Sequence, residues 1–88
     1  MRINKDFTIQ KVGASYMAVA VGETSKRFHG MIRLNDTGAF IWKQMAERDC
    51  TEEELVDALL EEYEIDRETA AKDVHNMIES FKAYPILV

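Results

Sequence analysis

The sequence predicts a small α+β fold: a three-stranded antiparallel meander followed by three helices. Three observations carry this. Residues 7–34 hold three short apolar or alternating runs separated by turn residues. Residues 36–84 hold three stretches with apolar residues at helical spacing, each preceded by Asn, Thr or Asp. The chain has 88 residues, 47% of them hydrophobic and 31% charged, which suits one soluble domain with a thin core. Strands first and helices last is the segregated order of an α+β domain, and it gives a single domain over residues 1–88. A helical trio beside a small sheet is also the plan of a winged helix-turn-helix.

The strands follow in order. Phe7-Thr8-Ile9-Gln10-Lys11 alternates apolar and polar, as a half-buried strand does. Gly13-Ala14-Ser15 is a turn signal. Tyr16 to Val21 is short, apolar and partly β-branched, so it is expected as a central strand covered on both faces. Gly22 to Arg27 is polar and is expected as a second turn. Phe28 to Leu34 is the third strand. Its even positions Phe28, Ile32 and Leu34 should face the core, opposite His29, Met31 and Arg33.

The helices are marked by their caps. Asn35 can accept a bond from an orphan N–H and so starts a helix over Asp36 to about Arg48, with Asp36 at the positive end of the dipole. Phe40, Ile41, Trp42 and Met45 give it a broad apolar face, and Gly38 in its first turn allows close packing. Thr51-Glu52-Glu53-Glu54 is a capping box that opens a second helix ending near Tyr63. Asp66 caps a third, whose apolar stripe is Ala70, Val74, Met77, Ile78 and Phe81. Pro85 stops it, and Ile86-Leu87-Val88 is a tail suited to an extra strand or a core plug.

Composition removes several classes of function. A single cysteine, Cys50, makes neither an intramolecular disulfide nor a cysteine-rich zinc site, which fits a reducing, cytoplasmic setting. The longest apolar run has six residues, Tyr16 to Val21, against the roughly 20 of a membrane span. The start of the chain does not read as a signal peptide. His29 and His75 are far apart, so no metal site is expected. The glycines lack phosphate-binding spacing, and the acidic neighbours of Cys50 would raise its thiol pKa rather than lower it. No nucleophile, acid–base pair or cofactor motif remains, so an enzyme is not expected.

Charge is unevenly spread. Residues 1–46 carry seven basic and three acidic side chains, and residues 47–88 carry four basic and thirteen acidic ones, for a net −5. An acidic helical half opposes a phosphate backbone, and the third helix opens Arg67-Glu68-Thr69, not as a basic recognition helix. Peptide or protein binding is what remains. The third strand can be a sheet edge, which offers unpaired N–H and C=O groups to an incoming strand. Gly30 permits close backbone approach there. Such an edge also permits a homodimer by strand pairing.

The residues also carry a resemblance. Ile32-Arg33-Leu34-Asn35-Asp36-Thr37-Gly38-Ala39-Phe40-Ile41-Trp42 resembles the hallmark segment of PqqD-like proteins, in which a strand runs into Leu-Asn-x-Thr/Ser-Gly/Ala and then Ile-Trp. Thr51-Glu52-Glu53-Glu54-Leu55, Leu59-Leu60-Glu61-Glu62-Tyr63, Ile65-Asp66 and Lys72-Asp73-Val74 are similar to later family segments, in the same order. The resemblance spans about residues 7 to 88. It implies a truncated winged helix-turn-helix that recognises the leader of a ribosomally made precursor peptide. It further implies that the leader adds as a strand to the third strand, lies against the third helix, and is presented to a modifying enzyme such as a radical-SAM protein.

Carried over by position, the resemblance gives an edge strand of His29, Gly30, Met31, Ile32, Arg33 and Leu34. It gives a groove wall of Val74, Met77, Ile78, Phe81 and Lys82. Many family members end the third helix in Gly before a short apolar tail, whereas this chain has Ala83-Tyr84-Pro85. The basic strand half suggests that the leader carries acidic residues that Arg33 or Lys82 meets. The alternative reading of the same architecture is a winged-helix regulator that binds DNA or a transcription protein.

Overall fold

The computed structural model describes residues 1–28 and 30–88. Three strands, β1 (Phe7–Val12), β2 (Ser15–Ala20) and β3 (Met31–Leu34), form one antiparallel sheet in the order β1-β2-β3. Three helices follow: α1 (Asp36–Glu47), α2 (Glu52–Glu62) and α3 (Arg67–Phe81). The predicted class and element order are those observed. Among the described residues no helix is long and apolar enough to cross a membrane.

The β1–β2 hairpin turns on two residues, Gly13 and Ala14, with Val12 opposite Ser15. Gly13 takes φ +61°, and among the described residues no non-glycine residue has a positive φ, the backbone pattern of a tight hairpin with glycine in its first central position. Gly22 also has a positive φ, of +63°, and opens a short 3₁₀ turn over Gly22–Lys26, in the stretch read from the sequence as a second turn. The Thr24 hydroxyl donates to Asp6 and the Val21 amide to the Asp6 carbonyl, which ties this turn to the chain entering β1.

β3 is shorter than expected. It begins at Met31, not Phe28, and Phe28 packs its ring against Phe7 and Tyr84 at centroid distances of 5.7 and 5.3 Å. Aromatic burial draws that residue out of the strand line. The strand's alternation is as read: Leu34 is buried and Ile32 half-buried, while Met31 and Arg33 are exposed.

The pairing register places Phe7, Ile9, Ala18, Ala20, Ile32 and Leu34 on one face of the sheet. That face meets the helices. β2 is not covered on both sides, because Ala18 is fully buried but Met17 and Val19 on the other face stay half-buried. The helices supply one apolar layer only, so a central position in this small sheet does not bring two-sided cover.

α1 lies on β2 and β3, and α2 packs along α3. Ile41, Trp42 and Met45 of α1, Leu55, Val56 and Leu59 of α2, and Ala70, Val74, Ile78 and Phe81 of α3 close one core with the sheet. Trp42 sits at its centre with Phe81 at 5.6 Å and Phe7 at 6.4 Å, both edge-on. All three caps form as read. Asn35 accepts from the Gly38 amide, Asp66 from the Thr69 amide, and Thr51 and Glu54 exchange bonds as a capping box.

The tail is both strand and plug. Ile86 is fully buried, and Leu87 bridges Ile3 in antiparallel fashion. The Asn4 amide donates to the Ile86 carbonyl and the Val88 amide to the Arg2 carbonyl. α3 itself stops at Phe81, four positions before Pro85, and the chain then turns through Lys82 to Ile86.

Candidate functional site

The sheet has two edges, and β3 is the one that runs directly into α1 through Leu34 and Asn35. Its outer backbone groups pair with no strand among the described residues. Beside it opens a cleft of about 530 Å³, lined by Arg33, Leu34, Asn35, Thr37, Asp73, Asn76, Met77 and Ser80. One wall is the end of β3 and the start of α1. The other is a stripe of α3.

That stripe runs Asp73, Asn76, Met77, Ser80, at spacings of three, one and three. It lies beside the core stripe of Ala70, Val74, Ile78 and Phe81 rather than on it. Of the helix residues carried over by resemblance, only Met77 lines the cleft. Val74, Ile78 and Phe81 are 0%, 0% and 2% exposed and belong to the core, so their side chains hold the wall from behind. Lys82 is exposed beyond the helix end and pairs with Glu79 at 2.9 Å, outside the cleft lining. That hydrogen bond raises the Lys82 pKa and lowers that of Glu79.

The strand residues are placed unevenly. Met31, Ile32, Arg33 and Leu34 form β3, with Arg33 and Leu34 at the cleft. Met31 is 65% exposed on the opposite face, next to its cross-strand partner Val19. Gly30 precedes the strand and is exposed. A Cβ there would come 3.2 Å from the Phe28 ring, so this glycine makes room for the chain's own aromatic side chain. His29 lies outside the described residues.

The cleft floor depends on α1. The Asn35 side chain caps Gly38 at 2.8 Å, and Gly38 is buried. A Cβ on Gly38 would stand 3.2 Å from Met77 Cε and 3.5 Å from Leu34 Cβ. The missing side chain thus lets the Met77 thioether rest against the first turn of α1. Met77 and Leu34 make an apolar patch, ringed by the amides of Asn35 and Asn76, the hydroxyls of Thr37 and Ser80, and the Asp73 carboxylate. Ser80 already donates to the Asn76 carbonyl, at 3.0 Å. Asn35, Thr37, Asp73, Asn76 and Ser80 were not foreseen as lining residues. For Asp73, Asn76 and Ser80 the one sequence signal was helical adjacency to Met77, the member of the apolar stripe that stands off the four-residue rhythm, and Asn35 and Thr37 were marked only as part of the helix start.

Chemically, this arrangement is suited to binding an extended peptide. A free strand edge offers a ladder of main-chain donors and acceptors, and the cleft beside it offers side-chain pockets. Cys50, the one thiol, is buried between α1 and α2, and burial pushes its pKa up, away from the thiolate form. The surface of α3 and its C-cap mixes Arg67, Lys72 and Lys82 with Glu68, Asp73 and Glu79, and Arg67 is already paired with Asp57 at 2.7 Å. It is not the basic face that a recognition helix presents to DNA.

Known proteins give the same architecture. A family model described as coenzyme PQQ synthesis protein D (PqqD) matches residues 18–87. A chain from the structure of TbiB1 in complex with the TbiA(beta) leader peptide is similar with a TM-score of 0.71 and 23% identity, covering 94% of this chain and 90% of that one. A chain of lasso peptide synthetase B1 complexed with the leader peptide is similar at a TM-score of 0.71 and 20% identity, covering 97% and 93%. No curated protein matches. The structural likeness carries the fold, and the family match runs from Ala18 in β2 to Leu87 in the tail, including β3, the capped start of α1 and all of α3. The chain belongs to the PqqD family.

Proposed function

We propose that this chain binds the leader segment of a ribosomally synthesised precursor peptide and presents it to a modifying enzyme, such as a radical-SAM protein. The observation that carries the reading is the unpaired edge of β3 beside the cleft that Met77 and Leu34 floor. The leader adds as a fourth strand next to β3. Its inward side chains, one every second residue, enter the cleft, and its outward side chains lie on the face of the sheet that carries Met31. Membership of the PqqD family supports this reading, as do the leader peptides bound by TbiB1 and by lasso peptide synthetase B1. The chain supplies no catalytic group of its own. Its part is to hold the leader while a partner works on the rest of the precursor.

The test is a titration of the ¹⁵N-labelled chain with synthetic leader peptides from any short precursor frames found beside its gene. Saturable shifts should centre on residues 31–34 and on Asp73, Asn76, Met77 and Ser80. Shifts confined to other surfaces, or binding of genomic DNA fragments at low salt with no response to the peptide, would overturn the reading.

A further inference from the structure

On the other side of the α1 N-terminus from the peptide cleft lies a second depression, of about 350 Å³. It is lined by Lys11, Tyr16, Asp36, Ala39, Phe40, Lys43 and Tyr63, and it shares no residue with the first cleft. Four elements meet there: β1, β2, α1 and the residue that ends α2. The Lys11 ammonium lies 5.8 Å from the Tyr16 ring centre, and the Lys43 ammonium 5.3 Å from it. Two cations thus gather around one aromatic ring, each drawn by its quadrupole. Among the described residues neither forms an ion pair, although six other ion pairs are present.

We infer that this corner is a binding site for a carboxylate side chain on an acidic segment of a partner polypeptide. Two lysine ammoniums against one lining carboxylate, Asp36, leave the lining of the depression one positive charge in excess, which one incoming carboxylate neutralises. Ala39 and Phe40 give an apolar floor for the methylene stem of a glutamate. Tyr63 packs edge-on against Phe40 at 5.8 Å and lines the same depression. Burial, with Asp36 nearby, pushes that phenol's pKa up, so it keeps its proton and stays a donor. The site is independent of the leader cleft and would stand if the leader reading failed.

The test uses NMR of the full ¹⁵N-labelled chain with acetylated tetra-glutamate as probe. Acetylated tetra-glutamine, N-acetylglutamate methylamide and inorganic phosphate are the comparisons. Saturable shifts at Lys11, Tyr16, Lys43 and Tyr63 with tetra-glutamate, absent with tetra-glutamine, are expected. The variant Lys11→Met with Lys43→Met should bind about tenfold more weakly, as expected for two exposed ion pairs lost. Its thermal midpoint should hold, because both lysines are exposed. Unchanged affinity in that variant, or shifts centred elsewhere, would overturn the site. Tighter binding of phosphate would overturn the carboxylate assignment, and equal binding of the single glutamate would overturn the polypeptide source. Concentration-dependent shifts without any probe, linking Lys11 and Lys43 to the acidic face of α2, would make the occupant a second copy and overturn the partner.

Discussion

Met77 and Gly38 face each other across the junction of α3 and α1, and the contact exists because Gly38 has no side chain. The Met77 methyl occupies space that would leave only 3.2 Å to a Cβ at position 38. The cleft floor is therefore set from two helices at once. Gly38 sits in the first turn of α1, where its amide is also the donor to the Asn35 cap.

Gly38→Ala should separate stability from binding. Alanine gains about 1 kcal/mol of helix propensity over glycine. Against this, the new Cβ stands 3.1 Å from Asn35 Oδ1, and that oxygen is held by its bond to the position-38 amide. Met77 is the partner free to move, being unbranched and flexible, and it moves into the cleft. The expected outcome is a thermal midpoint close to that of the parent with a clear loss of leader affinity. Asn35→Ala is the contrast, losing about 1 kcal/mol of stability with the cap. Calorimetry of both variants, free and with peptide, checks this.

Neighbouring residues of α3 should behave oppositely. Ile78 is fully buried, so Ile78→Ala should cost about 2–5 kcal/mol of stability. Met77 is half-buried at the cleft, so Met77→Ala should cost about 1 kcal/mol yet weaken peptide binding more than Ile78→Ala does in protein that remains folded. Denaturant unfolding and peptide titration of the pair give the comparison. Equal binding losses would mean that the core stripe, not the offset stripe, recognises the peptide.

That contrast also shows what the sequence could and could not disclose. The caps at Asn35, Thr51 and Asp66 were readable because capping is local: one side chain and an amide two or three residues on. The sheet order was readable from short runs and tight turns. The start of β3 was not, because the position of Phe28 is decided by Phe7 and Tyr84, which are distant in sequence. The cleft wall was not, because periodicity marks the apolar stripe that enters the core. A polar stripe such as Asp73, Asn76 and Ser80 looks the same whether it faces water or a ligand.

Acid should weaken the helix starts. The Thr69 hydroxyl and amide beside Asp66, and the Thr51 amide and hydroxyl beside Glu54, hold both carboxyls below their usual values. A carboxyl with a lowered folded pKa adds stability above its unfolded pKa, and that stability is lost as pH falls through the folded value. The thermal midpoint should therefore drop as pH is lowered below the ordinary carboxylate range of about 4. Asp66→Asn keeps an N-cap but cannot titrate there, so its midpoint should fall less steeply over the same interval. Parallel pH profiles of parent and variant would show that Asp66 contributes nothing to the acid limb.

The tail should matter for stability but not directly for recognition. Ile86 is fully buried, and its carbonyl accepts from the Asn4 amide at 2.6 Å. Tyr84, just before it, packs edge-on against Phe28 at 5.3 Å, which links the end of α3 to the segment that leads into β3. Ile86→Ala opens a cavity against the core and should cost about 2–5 kcal/mol. Tyr84→Ala removes a half-exposed ring, and should cost about 1 kcal/mol of stability. Neither residue lines the cleft, so peptide affinity measured well below each variant's midpoint should stay near that of the parent. A large affinity loss in Tyr84→Ala alone would show instead that the Phe28–Tyr84 contact sets the position of the β3 edge. The Ala83-Tyr84-Pro85 departure from the family pattern would then be part of how this chain chooses its peptide.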